Sequence, residues 1–419
     1  MLDISLIRNN PQEVTKKLQG KIPSIDLSPL LTLDQKLREN ITALEQRKHE
    51  QNAASKQIGE KKRQHQPVEK EMEEMKALRA EISSVQERVN LLRKEFETEL
   101  FSLPNLPDDC VPFALDPKQN VCVKRVGEKP TLSFPIKNHI ELGEINDLFD
   151  FKASAKITGS NWPMYRGLGA RLERALLQYM LDTHYKNGFI EISPPLLVNT
   201  ATMFGAGQLP KFKDQLFSLN DPDFPLHLIP TAEVPLNGIH QGEILTKTPY
   251  LYTAYTPCFR REAGALGRQE RGLIRMHQFN KVELFAVCHP EESDAIFQKM
   301  LDSAEEVLQG LGLHYQNMLL VSGDLSFSAR KTIDIEVYLP AQNAYYEASS
   351  VSSCGDFQAR RAKIRIRGKE GLTVAHTLNG SRLATSRLMV SLIETYQKED
   401  GSIDIPEVLR PYLSSYSFT

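Results

Sequence analysis

The sequence predicts an α+β protein: an N-terminal antiparallel α-helical coiled coil, then a mainly antiparallel β-sheet flanked by helices. Three observations carry this. Apolar residues recur at three-four spacing from Leu30 to Leu100, with charged residues between them. The pattern stops at Phe101–Asp109, where two prolines, Asn105 and an Asp pair are incompatible with helix. Beyond that break, short alternating apolar runs mix with amphipathic helices but without a regular βαβ order, which points to an antiparallel sheet.

Taken in order, Asp3 to Leu18 holds one short helical pattern that Pro11 breaks or restarts. The first long series is Leu30, Leu33, Leu37, Ile41, Leu44 and, later, Ile58, fading where Lys48, Gln51 and Ala54 occupy the seam. The second is Val68, Met72, Met75, Leu78, Ile82, Val85, Val89, Leu92, Phe96 and Leu100. Each implies a helix of about 35 residues, roughly 50 Å long. The join Gly59–Pro67 has a basic tip and a Pro suited to opening the second helix. The domains expected are therefore 1–103, with an arm over about 28–100, and 104–419. Heptads alone fit a dimerisation or spacer arm. Lys56, Lys61, Lys62, Arg63 and Lys70 near the tip also fit an arm that grips a long, charged partner, since clustered cations attract phosphates.

In the second domain, helices are predicted at Arg171–Lys186, Glu291–Gly310 and Arg382–Gln397. Strands are predicted at Phe189–Ser193, Leu284–Cys288, Thr332–Leu339 and Ala344–Val351. Tyr252–Phe259 and Leu273–Phe285 flank a Gly- and Arg-rich loop from Glu262 to Gly272, and together they read as a hairpin with a basic tip.

The 419 residues suggest two or three domains, and the formal net charge of -2 shows no global basic excess, so neither DNA nor a general polyanion surface is expected. The five cysteines lack any C-x-x-C pair, which argues against structural zinc or a disulfide framework. The N-terminus lacks a basic stretch followed by an apolar one, and no apolar run is long enough to span a bilayer. The expectation is a cytoplasmic protein with no membrane partner.

No G-x-x-x-x-G-K-[ST], G-x-S-x-G or H-E-x-x-H motif is present, so phosphate chemistry here would rest on arginines and metal-holding carboxylates on a sheet. Thr231-Ala232-Glu233 places a hydroxyl and a carboxylate together, suited either to a small ligand with an ammonium group or to a helix N-cap. Arg260 and Glu262 share one strand face, so they fit a phosphate and an amine in one pocket, or a surface ion pair. Glu283 is an acid in an apolar strand: it either points outward or awaits a cation. Glu347 lies close to Ser349 and Ser350, a set that can hold Mg²⁺ with nucleotide phosphates, or simply a polar strand edge. Ser381 reads as an N-cap before the last helix, with Arg382 and Arg387 as solvated charges.

Each of these signals is weak alone, but their order is specific. Together with Phe204-Gly205-Ala206-Gly207-Gln208-Leu209-Pro210-Lys211-Phe212, Phe259-Arg260-Arg261-Glu262, the run Arg271–Phe279, Glu347-Ala348-Ser349-Ser350 and His376–Ser381, they make the chain resemble a bacterial-type seryl-tRNA synthetase, a class II aminoacyl-tRNA synthetase, over essentially its whole length. The resemblance implies a class II synthetase domain with a six-stranded antiparallel sheet and a homodimer formed through the helix after Arg171 and the strand reaching Pro195. It implies L-serine at Thr231, Ala232, Glu233, Arg260, Glu283 and Ser381. ATP is implied at Arg260, Arg261, Glu262, Arg275, Phe279, Glu347, Ala348, Ser349, Ser350 and Arg387, with Mg²⁺ on Glu347 and Ser350. The groups most directly tied to catalysis are Arg260, Glu262 and Arg387. The partners implied are tRNA(Ser) and tRNA(Sec), met by the arm (Lys56, Lys61, Lys62, Arg63) and by Arg268 and Arg271 on the loop. One departure is Ser381-Arg382-Leu383-Ala384-Thr385-Ser386-Arg387, in which Arg382 and Ser386 stand where the family favours small residues or Gly.

Two rivals are weaker. A homologue that acylates a carrier protein has no need of the arm. A non-catalytic RNA-binding module is expected to carry damage at Arg260, Glu262 or Glu347, and all three are intact.

Overall fold

The computed structural model describes residues 1–262, 272–368 and 371–413, with the backbone alone for 381–384. The chain divides into two compact units, Leu2–Pro104 and the residues from Asn105 onward.

In the N-terminal unit, Pro11 opens a second short helix rather than kinking one: the pair is Ile4–Asn9 and Pro11–Gln19. Two long helices follow, Ser28–Arg63 and Glu69–Ser102, of 36 and 34 residues. They run antiparallel, because Arg47 meets Glu81 at 3.3 Å while Lys61, further along, meets Glu71. Leu37, Ile41 and Leu44 pack against Ile82, Val85, Val89, Leu92 and Phe96. Toward the tip, polar links take over part of the seam, including Lys48 to Gln86 at 3.1 Å. Pro67 lies just outside the second helix, whose N-cap is Val68. Near the base, Asp34 is buried, yet Arg8 at 2.6 Å and Arg38 at 3.1 Å bind it. Burial opposes its charge, but the two guanidinium groups outweigh burial and hold its pKa below the usual carboxylate value.

The second unit is organised on one sheet. Its strands in chain order are β1 (Val121–Val126), β2 (Ile190–Glu191), β3 (Tyr250–Phe259) and β4 (Gln278–Cys288), then β5 (Tyr315–Leu319), β6 (Lys331–Leu339), β7 (Ala344–Gly355) and β8 (His376–Ala384). The spatial order is β1-β5-β6-β7-β8-β4-β3-β2. All neighbours are antiparallel except β2, which runs parallel to β3. Among the described residues the sheet thus has eight strands, where the resemblance implied six.

Alternation assigns the two faces. Val282, Leu284 and Ala286 of β4 enter the main core with residues of the helices Gly167–Lys186, Ser293–Gly310 and Thr385–Thr395. Phe285 and Val287 face the other way and pack with Ala232, Leu236, Ala359 and Ala362. Glu283 alternates with the core residues too, so it lies on this second face, among the site residues.

Three sequence expectations shift. Strand β4 begins at Gln278, not Leu273, although Leu273 and Met276 are buried in the core. The last helix begins at Thr385, because β8 stays paired through Ala384: Ser381 lies opposite both Glu283 and Ser350. Ser381 is therefore a mid-strand residue and not an N-cap, and Arg382 belongs to the strand. The helix predicted from Arg171 starts earlier, at Gly167.

Candidate active site

The second face of the sheet opens into two adjoining cavities of about 450 Å³ and 280 Å³. Arg260, Glu262, Lys281 and Glu347 line both. The larger is also lined by Thr231, Glu233, Asp334, Ser350 and Asn379, the smaller by Arg275, Phe279, Ala348, Ser386 and Arg387. Residues far apart in sequence thus converge because β3, β4, β7 and β8 lie side by side.

The larger cavity has a polar floor. Thr231 Oγ1 donates to Glu283 Oε2 at 2.9 Å and accepts from Lys281 Nζ at 2.8 Å. The Lys281 ammonium is 2.6 Å from Glu283 Oε2. Glu283 is fully buried, and its Oε1 has no hydrogen-bond partner among the described residues. The Thr231 hydroxyl also accepts from the Glu233 backbone N–H at 3.2 Å, so it serves both the helix Glu233–Gly238 and the pocket. The helix-cap and ligand readings of Thr231 are compatible.

Glu233 Oε1 accepts from Gln358 Nε2 at 2.5 Å and Asn379 Nδ2 at 2.8 Å. Burial, with the charge of Glu283 adding to it, pushes its pKa up to about 7. Between its ordinary 4.5 and about 7 the native state holds a proton that the unfolded chain has released. Stability contributed by this group therefore falls as pH rises through that window and levels off above it, by on the order of 3 kcal/mol in all. Glu233→Gln keeps an acceptor for both amides and removes the proton. Relative to wild type, the variant should gain melting temperature between about pH 5 and about pH 8. Melting curves that keep a constant offset across that range would contradict the assignment.

The smaller cavity is built from β3, β4 and the start of the last helix. Arg260 Nε donates to Pro230 O at 3.3 Å, and the guanidinium carbon sits 5.1 Å from the centre of the Phe279 ring. Glu262 adopts φ +48° where β3 ends, and its carboxylate lies 3.5 Å from Arg275. Arg387 donates to the Glu347 carbonyl at 2.7 Å and lies 3.4 Å from its carboxylate. It is a pocket residue, not a solvated helix charge, and Ser386 beside it lines the cavity without displacing it. Asp334 lies one strand over, close enough to Ser350 for a side-chain hydrogen bond. Burial, then the nearby Glu347 charge, raises its pKa, and its Oδ1 has no partner among the described residues. Beside the end of β3, Trp162 packs 5.4 Å from the His277 ring, whose Nδ1 is 3.0 Å from the Arg260 carbonyl.

Most of the residues expected from sequence meet here, with instructive exceptions. Ala232 is buried in the second core cluster and lines neither cavity. Arg261 is exposed, and its N–H donates to Gln215 O at 3.0 Å; it lines neither cavity. Ser349 is buried and likewise absent from both linings, because a bulge between Glu347 and Ser349 changes which side chains face the site. The side chain of Ser381 and all of Arg268 and Arg271 lie outside the described residues. In the other unit, Lys56, Lys62 and Arg63 are exposed near the arm's tip, and Lys61 is paired with Glu71. Sequence reasoning missed Lys281, Asp334, Gln358 and the role of Asn379. Lys281 was discoverable, since it stands two residues before Glu283 and must share its face.

An antiparallel sheet whose cavities carry Arg–Glu and Arg–ring contacts fits the class II aminoacyl-tRNA synthetase core that the sequence resemblance implies. Residues 217–396 match the family model described as tRNA synthetase class II core domain (G, H, P, S and T), and residues 1–107 match the seryl-tRNA synthetase N-terminal domain. A serine–tRNA ligase of Chlamydia felis is 46% identical over 418 residues, covering 99% of this chain and 98% of that one. Among solved structures, seryl-tRNA synthetase from Pyrococcus horikoshii complexed with ATP superposes with a TM-score of 0.92 at 34% identity, covering 99% of this chain and 98% of the other. The cytoplasmic serine-tRNA ligase of Naegleria fowleri in complex with AMP gives 0.86 at 27% identity, with the same coverage. The chain belongs to the seryl-tRNA synthetase family.

Proposed function

We propose that the chain activates L-serine with ATP and transfers the serine to the 3′ end of tRNA(Ser), and of tRNA(Sec) as a second substrate. The observation that carries this is the juxtaposition of Thr231 and buried Glu283, an ammonium-binding pair, with Arg260 over the Phe279 ring at the join of two cavities. The serine ammonium would lie on Thr231 and Glu283, and its carboxylate would point toward Arg260. Adenine would stack on Phe279, and the outer phosphates would meet Arg275 and Arg387. A carboxylate oxygen of serine then bonds to the α-phosphorus. The bond to the bridging oxygen breaks, and diphosphate leaves with the electron pair. No protein nucleophile is required; the work is positioning and charge neutralisation. A pocket that hydrogen-bonds the serine hydroxyl also rejects alanine, because its polar groups would otherwise stay unpaired.

The oxygen-only set of Glu347 and Ser350, backed by the orphaned Asp334 Oδ1, fits Mg²⁺. Magnesium is commonly held by one or two carboxylates together with substrate phosphates, and this set has that size. When bound, Mg²⁺ would offset phosphate charge during transfer. Glu347 would hold it on one side while bonded to Arg387 on the other.

We read the arm as the tRNA-binding element, with Lys56, Lys61, Lys62 and Arg63 near its tip. The homodimer reading is supported by the exposed Tyr185 and Ile190 near the end of the helix Gly167–Lys186. The setting we propose is cytoplasmic, where tRNA and ATP meet. No described helix is long and apolar enough to cross a membrane. ATP–pyrophosphate exchange run separately with each of the twenty amino acids tests the reading. Exchange with serine, and roughly a hundredfold less with alanine or threonine, is expected; exchange led by another amino acid would overturn it.

A further inference from the structure

Lys281 plays no part in the reading above, yet its position is unusual. It is one of the residues that line both cavities, so it stands where an amino-acid carboxylate in one would meet a phosphate in the other. Its side chain is only 4% exposed. Its Nζ is 2.6 Å from Glu283 Oε2 and donates to Thr231 Oγ1 at 2.8 Å. These are the two groups assigned to the ammonium of serine. The ammonium of Lys281 thus lies where part of the ligand's own cation must go.

The physics explains why such a cation is there. A fully buried carboxylate is costly to keep ionised unless a cation accompanies it. Glu283 has one oxygen with no partner among the described residues, so the lysine is its main compensation before a ligand arrives. Lysine suits a temporary post, being a compact charge on a flexible stem. An incoming ammonium can replace it on Glu283, and the displaced Nζ needs only to swing toward the seam between the cavities.

We propose that Lys281 is an exchangeable internal cation. It neutralises Glu283 while the amino-acid pocket is empty, yields that carboxylate to the serine ammonium, and turns to the serine carboxylate and the α-phosphate as they react. It acts by charge alone. This rests on the assignment of Thr231 and Glu283 to the serine ammonium.

The proposal predicts effects of opposite sign. L-Serinamide carries the ammonium and hydroxyl but no carboxylate. Lys281→Met should therefore bind L-serinamide about tenfold more tightly, because a competitor for Glu283 has gone. The same variant should lose about a hundredfold in the maximal rate of serine-dependent pyrophosphate exchange, because charge at the seam has gone. Lys281→Arg keeps the cation and should bind serinamide as wild type does. Isothermal titration of the full-length chain at about pH 8, where a carboxylate is ionised, reads the first effect. If Lys281→Met does not fold, Lys281→Gln carries the same expected sign. A merely structural ion pair would weaken serinamide binding and exchange together, and that result, or unchanged serinamide affinity, overturns the proposal. Glu283→Gln separates the two levels. If it leaves serinamide binding intact, the pocket assignment itself fails. If it abolishes binding while Lys281→Met brings no gain, only the role of Lys281 fails.

Discussion

Arg260→Ala is expected to lower serine-dependent pyrophosphate exchange by at least roughly a thousandfold while leaving tRNA affinity nearly unchanged. Arg260 lines both cavities, and two contacts fix its plane: the bond from Nε to Pro230 O and the Phe279 ring beneath it. In the proposed reading, its loss removes a preorganised positive charge from where serine carboxylate and α-phosphate, both negative, would approach. It also leaves Phe279 without its cation–π partner. Arg260→Lys should recover little, because an ammonium lacks the planar fork that can hold a phosphate oxygen while bonded to Pro230. Exchange assays set beside filter binding of tRNA check this. Exchange at wild-type rates would remove Arg260 from the phosphate site.

The second large effect concerns the arm. Replacing residues 35–95 with a short linker should leave adenylate formation within a fewfold of wild type and reduce tRNA charging by several orders of magnitude. Every described residue that lines the two cavities lies beyond Asn105, so the proposed activation site draws none of its described lining from the coiled coil. Basic contacts to phosphate dominate nucleic-acid affinity and fall steeply with salt. Charging by the intact enzyme should accordingly weaken as salt rises, whereas exchange should respond far less. Equal charging by the shortened protein would reduce the arm to a spacer.

Much of this architecture was legible in the sequence, for identifiable reasons. A long apolar series is unambiguous when sustained, as it is here from Ile82 through Val85, Val89, Leu92 and Phe96. Glu283 stood out as an acid among apolar strand residues, and it is buried against Thr231 and Lys281. What remained hidden depended on contacts between strands. Asp334 and Glu347 lie on adjacent strands, and a bulge sets which neighbours face the cavity, which no local pattern announces. Ser381 read as a helix cap because serine before a helical stretch usually is one; pairing with β4 and β7 keeps it in the sheet instead. Gln358 was invisible for the same reason: its partner Glu233 is over a hundred residues away in sequence.

The contact between Trp162 and His277 has a practical side. Trp162 is the only tryptophan in the chain, and it sits 5.4 Å from His277, which is linked in turn to the Arg260 carbonyl. Its fluorescence therefore reports on the strand end next to Arg260, undiluted by any second indole. The native chain thus carries its own optical probe beside Arg260, and ligand-induced movement of that strand end should be readable without attaching a label.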